Sequence, residues 1–328
     1  MKTIFIGIDV SKDTLDVAIC DAASKATLDT FQVKNSLNGI NQMAKRVSKF
    51  GSSPWFCFEH TGNYGLLLAH QLQTLDLTYT MVPALEIKKS QGMVRGKTDA
   101  VDSVRIAHYA AIHAHKLTPS KLAGEKLLQI KSLLSYRAQL TGMMRQLKNS
   151  LKSYQVMSQS VNVQTITDDV AEQIEKLTEK VKYIEEQIVT LINSDDSLLK
   201  NYSKTVSVKG VGLIIAAYML VYTKNFTAFD NPRKFNCYAG LAPFEYQSGT
   251  SIKARTKTSR LRNKTMKTLL FNGANTAVNC DPELKAYFKR KANEGKPNLL
   301  IINNIASKLV YRIFAVVKRE EPYVTLVR

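Results

Sequence analysis

The sequence predicts an α/β unit followed by a longer, mostly helical remainder, and three observations carry that prediction. Apolar runs of strand length alternate with helix-period segments only as far as residue 118. Apolar residues then fall at heptad spacing through residues 119–200, and residues 201–328 combine helical patterning with a large basic surplus. Three regions are therefore expected, with boundaries near 118 and 200.

In the first region Ile4–Val10 is an apolar run that closes on Asp9 and Val10, and Thr14–Cys20 and Ala26–Val33 follow as second and third strands. A helix-period stretch, Leu37–Phe50, leads to an apolar strand at Trp55–Glu59. A helix at Tyr64–Leu75, a strand at Thr78–Val82 and a helix from about Thr98 to Ala114 complete the unit. A β-meander followed by alternating strands and helices is the order expected of a ribonuclease-H-like domain.

In the second region Val170, Ile174, Leu177, Val181, Ile184, Ile188 and Leu191 recur at spacings of four and three. Ile130, Leu133, Leu140, Met144, Leu147, Leu151 and Tyr154 keep the same register upstream, with Arg137 as a polar interruption. Two such helices joined by Ser158–Asp168 predict a coiled-coil arm, antiparallel or dimerising; a plain two-helix bundle packed on the core is the other expectation.

The charge is uneven. The chain carries +19 overall, and residues 201–328 hold 22 Lys and Arg against 7 Asp and Glu. A surplus of that size favours polyanionic partners. Within it, Lys209-Gly210-Val211-Gly212 before an apolar helix has the small-turn pattern of a helix-hairpin-helix, whose free backbone N–H groups suit a DNA phosphate. An ordinary turn has the same pattern. The four cysteines (Cys20, Cys57, Cys237, Cys280) never form C-x-x-C, so buried reduced thiols in a cytoplasmic protein are expected rather than zinc or disulfides. The longest apolar run, Leu213–Val221, is too short to span a bilayer, so no membrane association is expected.

Four acids stand where a metal site would need them. Asp9 and Glu59 close strands, and Asp99 and Asp102 lie three apart at a helix start, on one face. Converging carboxylates repel unless a cation neutralises them, and oxygen-only ligands select a hard ion such as Mg²⁺ or Mn²⁺. Singly, Asp9 reads equally as a turn residue and Asp99 as a helix cap. Sugar kinases and actin-like ATPases also open on an Asp-ended strand, but the Gly-rich phosphate loops they require are missing between residues 103 and 328.

A second candidate centre is Tyr246-Gln247-Ser248-Gly249-Thr250-Ser251. It is followed by Lys253, Arg255, Lys257, Arg260, Arg262, Lys264 and Lys267, with no acid among them. A small loop beside such cations can place a hydroxyl against a phosphate; a polar turn before a DNA-gripping helix has the same appearance. Tyr246 is a weaker nucleophile candidate, because all five histidines lie before residue 116.

Taken together, Gly7-Ile8-Asp9-Val10-Ser11-Lys12, Glu59-His60-Thr61-Gly62-Asn63-Tyr64 and Lys97-Thr98-Asp99-Ala100-Val101-Asp102 resemble the RuvC-like DEDD domain of insertion-sequence 110 family transposases, which are related to the Piv DNA invertases. Gly210-Val211-Gly212, Phe229, Tyr238-Ala239-Gly240-Leu241-Ala242-Pro243, Ser248-Gly249-Thr250-Ser251, Gly295-Lys296 and Glu321-Pro322-Tyr323 extend the resemblance along nearly the whole chain. It implies that Asp9, Glu59, Asp99 and Asp102 bind the metal and that Ser248 forms a phosphoserine link to DNA. It also implies donor and target DNA as substrates, a structured non-coding guide RNA as partner, and a homodimer or homotetramer with composite sites. Hydrolytic cleavage by the acids alone, Piv-like inversion, and a non-enzymatic nucleic-acid scaffold are the alternatives. Ser251 and Ser259 stand behind Ser248 as nucleophile candidates. The sequence departs from the family at Ser259-Arg260-Leu261-Arg262-Asn263, which lacks the glycine of the corresponding turn, and at Met266-Lys267 in place of Leu-Arg.

Overall fold

The computed structural model describes residues 3–51, 53–60, 62–90, 99–248, 252–258 and 261–324, with the backbone alone at 100, 245–248 and 252–257. The chain divides into two compact units, Met1–Leu122 and Ala123–Arg328.

The first unit is a five-stranded mixed sheet in the order β3-β2-β1-β4-β5. Strands β1 (Thr3–Val10), β2 (Thr14–Asp21) and β3 (Thr27–Lys34) form an antiparallel meander. Helix α1 (Leu37–Val47) carries the chain to β4 (Ser53–Glu59), which lies parallel to β1, and α2 (Tyr64–Thr74) carries it to β5 (Thr78–Val82). Helices α3 (Ala84–Ser90) and α4 (Asp99–Ile112) follow. An antiparallel meander flanked by parallel strands in this order is the ribonuclease-H-like topology. Helix α3 was not foreseen from the sequence.

Both sheet faces are covered, which explains why β1 reads as a nearly continuous apolar run. Ile4, Ile6 and Ile8 of β1, with Val17, Ile19, Phe56 and Phe58, meet Ile40 and Met43 of α1 and Leu68 and Leu72 of α2. Phe5, Ala18, Cys20 and Cys57 point the other way, toward Ile106, Ala107 and Ala110 of α4. Gly7 sets the distance on that face. A methyl group there would lie 2.2 Å from the backbone N of Ala107 and 2.2 Å from the carbonyl of Ser103, so glycine lets α4 rest directly on the strand. The β5 edge is not left open: Ser120 donates its N–H to the Tyr79 carbonyl at 2.7 Å.

The second unit opens with α5 (Glu125–Met157) and α6 (Gln164–Asn193), joined by a short turn. Arg137 pairs with Glu185 and the Thr178 hydroxyl approaches the Met144 sulfur, so the helices run antiparallel in one register. The polar interruption at Arg137 is thus satisfied from across the seam. Near the base, Leu127, Ile130, Leu134, Ile184, Ile188 and Ile192 join Ala217, Leu220 and Val221 of α8 (Leu213–Tyr222) in one core. Farther out, Met143, Val156 and Met157 are exposed.

Helices α7 (Asp196–Ser207), α9 (Pro232–Ala239), α10 (Lys264–Cys280), α11 (Pro282–Asn293) and α12 (Asn298–Arg319) complete this unit. Helix α12 is long and apolar enough to cross a membrane, a point missed by counting only uninterrupted apolar runs. Its apolar face is nevertheless spent inside the protein, where Ile301, Ile305, Leu309, Val310 and Ile313 pack against Met266, Leu270 and Ala274 of α10. The helices are interrupted by one antiparallel hairpin, β6 (Pro243–Ser248) and β7 (Ile252–Thr258). The expected loop at Ser248 is therefore strand, because Ile252–Thr258 alternates in a period of two beneath its charges.

Candidate active site: a carboxylate cluster and a serine hairpin

Strand register brings the first acids together. Asp9 pairs with Asp16 across the β1–β2 ladder, and Ile8 pairs with Phe58, so Glu59 follows beside Asp9. Asp9 shares a face with Gly7, the face on which α4 lies. The first turn of α4 supplies Asp99 and Asp102. All of these carboxylates act on Asp9. Burial pushes its carboxyl up to about 6, and Asp99, Asp102, Glu59 and Asp16 push in the same direction.

Two partners were not foreseen. Asp16 is buried and accepts both contacts of the Gln32 amide, each at 3.1 Å. A tight turn that pairs Val10 with Leu15 necessarily sets Asp16 opposite Asp9, so the alternation of β2 held that signal. Arg105, one turn along α4, donates from Nη1 to Asp102 Oδ1 at 2.7 Å. Among the described residues, it offsets part of the charge at Asp102.

Among the described residues, no three of these groups close to metal-binding distance. Like charges without a cation hold each other apart, and Asp102 is turned to Arg105. The set still fits a hard divalent ion: its donors are all carboxylate oxygens, they come from one sheet face and one helix turn, and their mutual repulsion is what such an ion would relieve. The motif residues Thr61, Lys97 and Thr98 lie outside the described residues.

In the second unit Ser248 ends β6, paired with Ile252 of β7. Gly249, Thr250, Ser251, Ser259 and Arg260 lie outside the described residues, as do the side chains of Tyr246, Ser248, Lys253, Arg255 and Lys257. The base of the hairpin is firmly built. Lys267 Nζ donates to the Gly240 carbonyl at 2.9 Å and approaches the Thr258 hydroxyl at 3.4 Å. Burial lowers its pKa, with the nearby Arg262 guanidinium adding to the effect. Arg262 itself packs where a side chain on Gly240 would be, and Gly240 takes a φ of +71°. Asn263 donates to the Tyr238 hydroxyl at 2.8 Å and caps α10, whose first residue is Lys264. So Lys267 and Arg262, expected to grip DNA, lie at the foot of the hairpin that carries Ser248.

The glycine turn resolves into two roles. Gly210, at φ +88°, is wedged against the Gly273 carbonyl and Ala277 of α10, where only glycine fits. Gly212 caps α8 with open space around it, and Lys209 beside the turn is exposed.

A DEDD transposase family model of the IS110 type matches residues 6–159, and the model described as transposase IS116/IS110/IS902 family matches residues 204–289. The protein is a DNA-rearranging enzyme. The pilin gene-inverting protein of Moraxella bovis is 27% identical over 330 residues, covering 98% of both chains, and that of Moraxella lacunata is 27% identical over the same length. An IS110 insertion-element protein of Streptomyces coelicolor is 23% identical, covering 96% of this chain and 94% of its own. The chain belongs to the insertion-sequence 110 family of transposases. Among solved structures, Thermus thermophilus RuvC in complex with a Holliday junction substrate aligns with a TM-score of 0.28 and 13% identity, over 37% of this chain and 99% of that one. The strand order, rather than this alignment, defines the fold.

Proposed function

We propose that this transposase cuts and rejoins DNA through a covalent phosphoserine intermediate, with Ser248 as nucleophile and Asp9, Glu59, Asp99 and Asp102 as the ligands of Mg²⁺ or Mn²⁺. The observation that carries the reading is the state of Asp9, held near pKa 6 by burial and by four other carboxylates, two from the sheet and two from the first turn of α4. A structural acid would have a cation or N–H donors in their place.

A divalent ion bound there would orient the scissile phosphate and stabilise charge on the attacking and leaving oxygens. The chain's own residues then do the following. Ser248 Oγ attacks phosphorus and gives up its proton; the P–O bond to the leaving deoxyribose breaks, and that oxygen departs as a hydroxyl. The new phosphoserine ester conserves the bond energy, so a hydroxyl from another strand can reverse the step without ATP. Cations of the tract from Lys253 to Lys267 neutralise the phosphate during both displacements. The acids and the serine come from different units, which suits composite sites in a homodimer or homotetramer. Donor and target DNA are the substrates, and a structured guide RNA, which the family resemblance implies, would occupy part of the basic surface of residues 201–328. Such an enzyme works where its DNA lies, in the cytoplasm of a bacterium or archaeon. Relatives named for pilin gene inversion cover nearly the whole chain, so inversion of a DNA segment by the same chemistry is the second reading.

The test is a denaturing gel for a protein–DNA adduct, with wild type and Ser248→Ala expressed beside the native flanking DNA. An adduct lost in the variant is the expected result. Cleavage that yields free ends and ignores the substitution would replace the proposal with metal-dependent hydrolysis.

A further inference from the structure

Beyond its acids, α4 continues as a different kind of surface. Asp102, Arg105, Tyr109 and Ile112 recur at steps of three and four, one stripe that starts acidic and becomes basic and apolar, and His113 follows just past the helix end, four residues after Tyr109. Past Asp102, Arg105, Tyr109, Ile112 and His113 line a cavity of about 700 Å³ between α3 and α4, and Lys89 from α3 and Lys116 from beyond α4 complete its rim. His108 also lines it, with Nε2 3.2 Å from the Thr27 hydroxyl. The acid in the lining, Glu86, accepts from the Tyr109 hydroxyl at 3.3 Å. Ile112 is 53% exposed, an apolar surface among cations. The His113 ring leans on Tyr109, with centroids 4.7 Å apart, and the His115 ring follows at 6.4 Å.

Cations along a groove beside apolar and aromatic side chains are what an unpaired nucleic-acid strand requires, phosphates on the former and a base on the latter. The position adds direction. From Asp102 to Ile112 the helix rises about 15 Å, so a strand lying here would leave the carboxylates within a few nucleotides. The acids repel phosphate, and a neighbouring basic groove offsets that repulsion without placing a lysine among metal ligands.

We propose that the α3–α4 groove binds an unpaired segment of the substrate DNA strand, with Lys89, Arg105 and Lys116 on its phosphates and Ile112 and His113 against a base. The proposal rests on the carboxylates being the DNA-cutting centre and adds how the strand is held beside them.

The basic C-terminal unit would mask a change in total affinity, so the test must report locally. A benzophenone amino acid at position 112 of the full-length protein is irradiated with an oligothymidylate of about 16 nucleotides, in chelator. The same probe at position 64, an exposed site on α2, is the control. The expected result is cross-linking from position 112 well above that from position 64, stronger with the single strand than with a duplex. It should fall about fivefold or more when Lys89→Ala and Lys116→Ala are combined, with thermal unfolding unchanged. Equal cross-linking from both positions, a preference for duplex, or indifference to the two lysines would overturn the groove. Because no turnover is involved, failure of the serine chemistry leaves this readout intact, and failure of the cross-link leaves the adduct test standing.

Discussion

Two acids, one in each unit, are held in opposite ways. Asp281 is fully buried where α10 turns into α11, and every neighbour reconciles it to burial: its carboxylate caps α11 through the Leu284 N–H at 3.0 Å and pairs with Arg312 at 2.7 Å. Asp9 sits at the end of β1 among Asp16, Glu59, Asp99 and Asp102, which all oppose its charge. The first arrangement spends electrostatics on stability. The second withholds it, and leaves a demand for positive charge that an ion can meet.

The comparison can be broken in order of effect. Asp9→Asn should cut metal-dependent strand cleavage by about 10³-fold or more while leaving the fold intact, read as initial cleavage rate beside a circular dichroism melt. Near-normal cleavage would make Asp9 a structural acid like Asp281. Arg312→Met should do the reverse. It strands the buried Asp281 charge and costs about 3–5 kcal/mol by urea unfolding; a loss below about 1 kcal/mol would mean that the cap alone satisfies Asp281. Gly7→Ala tests how the acidic site is assembled. Its methyl group must displace α4, at a cost of about 1–3 kcal/mol, and cleavage should fall further than stability does because Asp99 and Asp102 move away from Asp9. Full activity in that variant would detach α4 from the site. The smallest effect is a pH dependence. A carboxyl raised from 3.8 to about 6 binds its proton more tightly in the folded state, so the metal-free protein should lose stability as pH rises from about 4 to 6. Melting temperatures in chelator should show that decline for wild type and a weaker one for Asp9→Asn; parallel curves would remove the repulsion from the account.

Much of the first unit was legible because its signals are local. Strand ends and the helix start placed Asp9, Glu59, Asp99 and Asp102, and the meander emerged from short apolar runs between turns. Asp16 and Arg105 were not legible, since each matters only through a partner fixed by pairing or by a helix turn packed on the sheet. Helix α3 is short and lacks a long periodic face. The β6–β7 hairpin was hidden by its charge: Lys253, Arg255 and Lys257 drew the reading toward a phosphate-binding tract, although their alternation with Ala254, Thr256 and Thr258 is a strand pattern. Lys267 has contacts that a basic run does not reveal, with a carbonyl and a hydroxyl of its own chain at the foot of the hairpin.

The contact at Gly7 makes α4 behave as a stiff lever pivoted on the sheet. Its backbone touches β1 with nothing compressible between them, so a load taken up near Ile112 cannot be absorbed in side-chain packing before it reaches Asp99 and Asp102. Energy released if the proposed strand settles at the Ile112 end would then be available to do work on carboxylate spacing at the other, and a mismatched substrate would be penalised in rate rather than in affinity.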